Sequence, residues 1–89
     1  MEIKIKLNDM KYRYDIYQMF NIYFPLDEIK FLDDGDYIVN ILDNKVEFVN
    51  GDYYKKIEIS ENIKEDIKRL VFSYHTAAHL GGKHDIISG

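Results

Sequence analysis

The chain has 89 residues, 46% of them hydrophobic and 15% aromatic, which is enough for one domain with its own core and differs from the composition of disordered chains. It contains no cysteine, so disulfide bonds, thiol catalysis, Cys-ligated zinc and iron–sulfur clusters are excluded. The net charge is −4 and basic residues stand among the acidic ones, which argues against direct nucleic-acid binding, since that requires a concentrated positive face.

The hydropathy pattern bears on the cellular compartment. No apolar run approaches the roughly 18 residues that cross a bilayer. Residues 1–7 alternate in polarity and do not form the apolar stretch of a signal peptide. Together with the missing disulfide framework, this pattern predicts a cytoplasmic protein without a membrane-spanning segment.

The N-terminal third of the chain predicts a strand followed by a helix. Residues 3–7 alternate apolar and lysine side chains, which is typical of a half-buried strand. Asn8 and Asp9 are both favourable N-cap residues, and apolar side chains then recur at helical spacing over residues 10–24. Pro25 ends this helix, because the residue before a proline is disfavoured in the α region.

The middle of the chain predicts a meander of four strands. These strands cover residues 28–32, 37–42, 45–49 and 52–59, with turns at 33–36, 43–44 and 50–51. The last turn is the strongest signal, because Asn50-Gly51 suits a type I′ hairpin, which needs positive φ at both central residues.

A second helix completes the predicted domain. Ser60 is placed to cap it, an apolar stripe at helical spacing runs through residues 63–74, and Gly81-Gly82 is expected to end it. The predicted order is β-α-β-β-β-β-α in a single domain of residues 1–80, followed by a short C-terminal tail of residues 81–89. We expect an α+β fold, with an antiparallel β-sheet and the two helices packed on one of its faces.

The composition changes at His75. All three histidines, both alanines and the single threonine lie between His75 and His84. His75 and His79 are four residues apart on the predicted helix, so their rings share a face and are candidates to bind a metal ion, with His84 or Asp85 as a third ligand. The glutamate of a His-Glu-x-x-His motif is missing. The alternative is that histidines near a helix C-terminus simply complement the helix dipole.

Tyrosine is abundant, with eight residues. Three of them crowd the first helix at spacings that cannot all face one core, and two are adjacent on a strand. Because tyrosine buries area while its hydroxyl stays hydrogen-bonded, these five are candidates for a protein interface: Tyr12, Tyr14, Tyr17, Tyr53 and Tyr54. The alternative is an AT-rich coding bias, which raises the tyrosine content everywhere.

No arrangement of residues indicates catalysis or a bound cofactor. The three serines lack the turn motifs that surround nucleophilic serines. Gly81-Gly82-Lys83 follows a helix, whereas a phosphate-binding loop precedes one. We therefore assign no catalytic and no cofactor-binding residue, and we expect that this chain is not an enzyme.

Three segments of the first 74 residues are similar to a known family. They are IKIKLND at residues 3–9, YRYDIYQMF at 12–20 and IKEDIKRLVFSY at 63–74. In these segments the chain resembles the N-terminal domain of the oxygen-independent coproporphyrinogen III oxidases (dehydrogenases) of the HemZ type, which are radical SAM enzymes of haem biosynthesis.

The resemblance implies a non-catalytic N-terminal accessory domain, either as a fragment or as a stand-alone protein. In that family the domain precedes a barrel whose Cys-x-x-x-Cys-x-x-Cys motif holds a 4Fe–4S cluster and cleaves S-adenosylmethionine. None of those cysteines is present here. The family also continues from its last helix into Pro-Trp-Gly and Gly-x-Arg-Pro segments, which do not follow Gly82 in this chain.

The expected partner is therefore another protein. The resemblance points to a catalytic radical SAM barrel. The alternative is a small acidic stand-alone regulator or inhibitor that binds an unrelated target protein, for example one of the anti-CRISPR type.

Overall fold

The computed structural model of the protein describes residues 1–79. The elements in chain order are β1 (Glu2–Leu7), a 3-10 turn (Met10–Tyr12), α1 (Arg13–Tyr23), β2 (Glu28–Phe31), β3 (Tyr37–Leu42), β4 (Lys45–Asn50), β5 (Tyr53–Glu58) and α2 (Ile63–His79). The predicted α+β fold is confirmed, and the element order differs from the expected one by the 3-10 turn ahead of α1. The predicted tail at residues 81–89, with its glycine cap, lies outside the described residues.

The five strands form one mixed sheet, in the order β2-β1-β3-β4-β5. β1 pairs in parallel with both β2 and β3, whereas the pairs β3-β4 and β4-β5 are antiparallel. The sequence predicts an antiparallel sheet. That prediction is wrong for β1, whose two pairings are parallel. The reason is that α1 carries the chain back to the starting end of β1, so that β2 runs in the same direction as β1.

The chain crosses β1 between β2 and β3. Ile5 is paired both with Phe31, the last residue of β2, and with Tyr37, the first residue of β3. The connecting residues 32–36 therefore pass from one side of β1 to the other. At this crossing a Cβ on Gly35 would lie 2.6 Å from the carbonyl oxygen of Lys4, so only glycine fits there without a shift of the backbone.

Both helices cover the same face of the sheet. The side chains that meet between them and the strands form one core, comprising Ile3, Ile5, Ile16, Phe20, Val39, Ile41, Val46, Phe48, Ile67, Leu70 and Val71. α1 and α2 run in the same direction, because Asp15 near the start of α1 pairs with Lys64 near the start of α2, while Tyr23 at the end of α1 contacts Phe72 of α2. The other face of the sheet, called the open face below, carries mainly polar side chains.

Two local predictions need correction. The turn between β4 and β5 is centred on Gly51 and Asp52, because Asn50 still pairs with Tyr53. Gly51 has φ +59° and Asp52 is not in the positive-φ region, which is typical of a type II′ turn, whereas a type I′ turn centred on Asn50-Gly51 had been predicted. The positive φ values of type I′ occur instead at Asp43 and Asn44, 51° and 64°.

The N-cap of α2 is Asn62 rather than Ser60. The Asn62 side-chain oxygen accepts a hydrogen bond from the backbone N–H of Glu65 at 3.3 Å. The hydroxyl of Ser60 lies instead within hydrogen-bond distance of the Asp66 carboxylate, 3.0 Å from Oδ2. Ser60 therefore holds the start of α2 by bonding to the buried carboxylate of Asp66, and it does not cap the helix.

Candidate functional site

Four apolar or aromatic residues are here called the helix-end patch: Ile22 and Tyr23 at the end of α1, Leu26 after it, and Phe72 in the second half of α2. The Tyr23 and Phe72 rings are 5.6 Å apart between centroids, which joins the two helices at this surface. Phe72 is 52% exposed, Ile22 57% and Leu26 93%. The fold leaves about half of Phe72 uncovered beside Tyr23, and exposed apolar surface of this kind is a candidate site for binding another molecule.

His75 lies at the edge of the helix-end patch. Its ring is 5.5 Å from that of Tyr23 and 5.2 Å from that of Phe24, between centroids. Burial against these rings, together with the nearby His79, lowers the pKa of His75. The imidazole is therefore neutral at pH 7.

The structure brings the two predicted metal ligands together. The rings of His75 and His79 are 4.1 Å apart between centroids, and Nδ1 of His79 is 3.0 Å from the backbone carbonyl oxygen of His75. Within residues 1–79, no group of three His, Cys, Asp or Glu side chains is placed to hold a metal ion. His84 and Asp85, the predicted third ligands, lie outside the described residues.

The five tyrosines predicted for an interface do not form one surface. Tyr14 and Tyr17 are exposed on α1, 64% and 41%. Tyr54 is exposed on the open face, which is the opposite side of the sheet from α1. Tyr12 and Tyr53 are only partly exposed and pack against the core.

Tyr53 belongs to an aromatic cluster with a structural role. Its ring packs against Phe48 and Tyr74 at centroid distances of 5.8 and 5.3 Å. The Tyr74 hydroxyl donates to the Asn50 side-chain oxygen at 2.9 Å, and burial raises the pKa of Tyr74. Tyr74 is therefore a neutral hydrogen-bonding group inside the fold.

On the open face the polar side chains pair with one another. The Tyr54 hydroxyl donates to Oε2 of Glu47 at 2.8 Å, and this bond raises the pKa of Tyr54 and lowers that of Glu47. Lys30 pairs with Glu2 at 2.9 Å. A depression of about 380 Å³ is lined by residues that include Asn40, Glu47 and Lys56, but its charges are of both signs and it is open to solvent.

Asp66 is the one fully buried charged side chain among the described residues. Burial raises its pKa, but hydrogen bonds from the Ser60 N–H and hydroxyl and from the Arg69 guanidinium outweigh that effect and hold the pKa below its ordinary value. Its oxygens accept from the Ser60 N–H at 2.7 Å and from Arg69. Because the carboxylate is satisfied internally, it is a structural group.

No family model, curated protein or solved structure matches this chain. Within residues 1–79, neither helix is long and apolar enough to cross a membrane. The function of the chain therefore has to be inferred from the surfaces described above. Among them, the helix-end patch and the adjoining histidine pair have chemistry that the fold itself does not use.

Sequence reasoning identified the histidine pair but not the helix-end patch. The patch combines side chains from α1, the segment after it and α2, which are distant in sequence. Phe72 could have been found, because it lies off the stripe formed by Ile67, Leu70 and Val71 on the same helix. A large apolar residue on the wet side of an amphipathic helix is a signal for an interface.

Proposed function

We propose that this chain is a non-catalytic accessory domain of the kind that precedes the barrel in oxygen-independent coproporphyrinogen III oxidases, and that it works by packing against such a barrel. The observation that carries the proposal is the apolar surface of Phe72, in the second half of α2, that the fold leaves exposed beside Tyr23 of α1. The alternative, a small acidic regulator of another protein, uses the same kind of contact with a different target.

The three segments that resemble the family support this proposal. They coincide with β1, with most of α1 and with the first two thirds of α2. These segments contain most of the core residues and one residue of the helix-end patch, Phe72. The resemblance therefore covers most of the core together with Phe72, and not only peripheral loops.

The position of the patch indicates which partner it suits. In the family the chain continues from the last helix toward the catalytic barrel. Tyr23 of the helix-end patch also contacts His75, about one turn before the last described residue of α2, so a barrel that follows α2 would lie near this surface. The open face is less suitable, because its Glu2, Lys30, Glu47 and Tyr54 side chains already satisfy one another.

The free energy expected from this contact follows from the exposed area of Phe72. Full burial of a phenylalanine side chain contributes roughly 1.5–3 kcal/mol. Phe72 is already half buried, so covering its remaining surface, together with neighbouring packing, is worth about 1.5 kcal/mol. That corresponds to about tenfold in affinity.

The test is a titration of this chain into a HemZ-type oxidase whose own N-terminal domain has been removed and whose cluster has been loaded under anaerobic conditions. We expect saturable binding by calorimetry, weakened at least tenfold by Phe72→Ser. The matched control is Tyr54→Ser, because Tyr54 is also an aromatic residue with about the same exposure, 49% against 52%, but lies on the opposite face. We expect it to change the affinity less than twofold.

Failure has two distinguishable forms. If the chain does not bind the barrel, the accessory-domain proposal is wrong. If it binds and both variants weaken binding equally, the barrel is the partner but the helix-end patch is not the surface. Recovery of a nuclease complex instead of an oxidase in a pull-down would favour the regulator.

A further inference from the structure

The spacing of His75 and His79 matches a chelating pair. A metal–nitrogen distance of about 2.0–2.1 Å places two imidazole ring centres roughly 4.5 Å apart when the nitrogens subtend a right angle, and roughly 5.2 Å apart at a tetrahedral angle. The observed distance between the ring centroids is 4.1 Å. The separation of the two rings is therefore close to that of the right-angle arrangement.

The hydrogen bond of His79 determines which nitrogen is available. A backbone carbonyl oxygen only accepts, so Nδ1 of His79, 3.0 Å from the His75 carbonyl oxygen, carries the proton. The lone pair is then on Nε2. Metal-binding histidines commonly have this arrangement, in which the second ring nitrogen donates to a carbonyl and fixes the tautomer and the ring orientation.

The second ring of the pair is held in place by its neighbours. His75 packs against Tyr23 and Phe24 at the end of α1. Its side chain therefore loses little rotamer freedom when it binds a ligand.

We propose that His75 and His79 form a two-histidine site for a divalent first-row transition metal, with Cu²⁺ bound more tightly than Ni²⁺ or Zn²⁺. The remaining coordination positions are open to solvent or to a partner. The preference for Cu²⁺ has two reasons. Imidazole ligands obey the Irving–Williams order, and a right-angle pair fits the tetragonal geometry of Cu²⁺ better than the tetrahedral geometry of Zn²⁺.

The proposal does not depend on the accessory-domain function, and the full chain tests it directly. Cu²⁺, Ni²⁺ and Zn²⁺ chlorides are titrated separately by calorimetry, and Cu²⁺ binding is also followed by quenching of tyrosine fluorescence, since Tyr23 lies beside His75. We expect one Cu²⁺ per chain and an affinity at least tenfold higher than for Zn²⁺.

The decisive variant is His79→Ala, because His79 is exposed at the end of α2 and alanine favours helix. We expect it to weaken Cu²⁺ binding at least tenfold, with an unchanged circular dichroism spectrum. His75→Ala is expected to do the same, and His84→Ala to change the affinity less than threefold. Equal affinity in the wild type and His79→Ala would overturn the proposal, as would loss on His84→Ala alone or a preference for Zn²⁺.

Discussion

The two ends of the helix layer are built differently. At the starting end the contacts are polar: Asn62 caps α2, Asp66 binds Ser60 and Arg69, and Lys64 reaches Asp15 across to α1. At the opposite end the contacts are aromatic, and Phe72 remains half exposed.

This difference separates stability from binding. The buried carboxylate at the starting end has its hydrogen-bond partners within the fold, so changes there act on the free energy of unfolding. The helix-end patch has apolar surface that the fold does not cover, so changes there act on contacts with other molecules. Four variants or conditions separate the two ends, and they are given from the largest expected effect to the smallest.

The largest effect is expected from Asp66→Ala. The change removes the acceptor for the Ser60 N–H, the Ser60 hydroxyl and Arg69, and hydrogen bonds to a charged group contribute more than neutral ones. We expect a loss of about 2 kcal/mol in the free energy of unfolding, measured by urea denaturation monitored by circular dichroism.

Ser60→Ala is the matched control for that change. It removes only the hydroxyl bonds and keeps the backbone N–H of residue 60, so we expect a loss of about 1 kcal/mol. If Ser60→Ala lowered the free energy of unfolding as much as Asp66→Ala, the Ser60 hydroxyl, and not the carboxylate as a whole, would be the group that stabilises the start of α2.

A smaller effect is expected from acidification. The folded state lowers the pKa of Asp66 below its ordinary value of 3.8, so its contribution is complete above that value and is lost as the pH falls through the folded pKa. The stability difference between wild type and Asp66→Ala should be constant from about pH 7 to pH 5 and shrink below pH 3.8. A difference that grows on acidification would contradict the assigned direction.

The smallest effect on stability is expected from Phe72→Ser. Its side chain is half exposed and lies outside the buried core, so we expect a loss of about 0.7 kcal/mol, half of the lower value for burying a phenylalanine side chain. A loss above 2 kcal/mol in the same denaturation experiment would show that the helix-end patch is part of the core, and the distinction between the two ends would fail.

The sequence predicted what local periodicity determines. Both helices and all four later strands were placed within a few residues, because their apolar spacing is a local property of the chain. The cap of α2 was also predictable: Asn62 followed three residues later by Glu65 is a capping-box pattern, which indicates the N-cap more strongly than Ser60 does.

The remaining features depend on contacts between distant residues. β1 lies between two parallel partners because residues 28–39 pair with it on both sides. No local sequence pattern predicts this arrangement. The spacing of His75 and His79 was readable, but the available nitrogen of His79 follows only from its hydrogen bond to a carbonyl. The helix-end patch likewise exists only once α1 and α2 lie side by side.

The crossing of β1 by residues 32–36 has a consequence for synthesis on the ribosome. β1 precedes the other strands of the sheet, yet its pairing with β3 extends to Val39. The strand therefore stays without its full set of backbone hydrogen bonds until β3 has emerged, and during that time its alternating isoleucines are accessible to chaperones. Of the five strands, β1 waits through the longest stretch of synthesis before both of its neighbours exist.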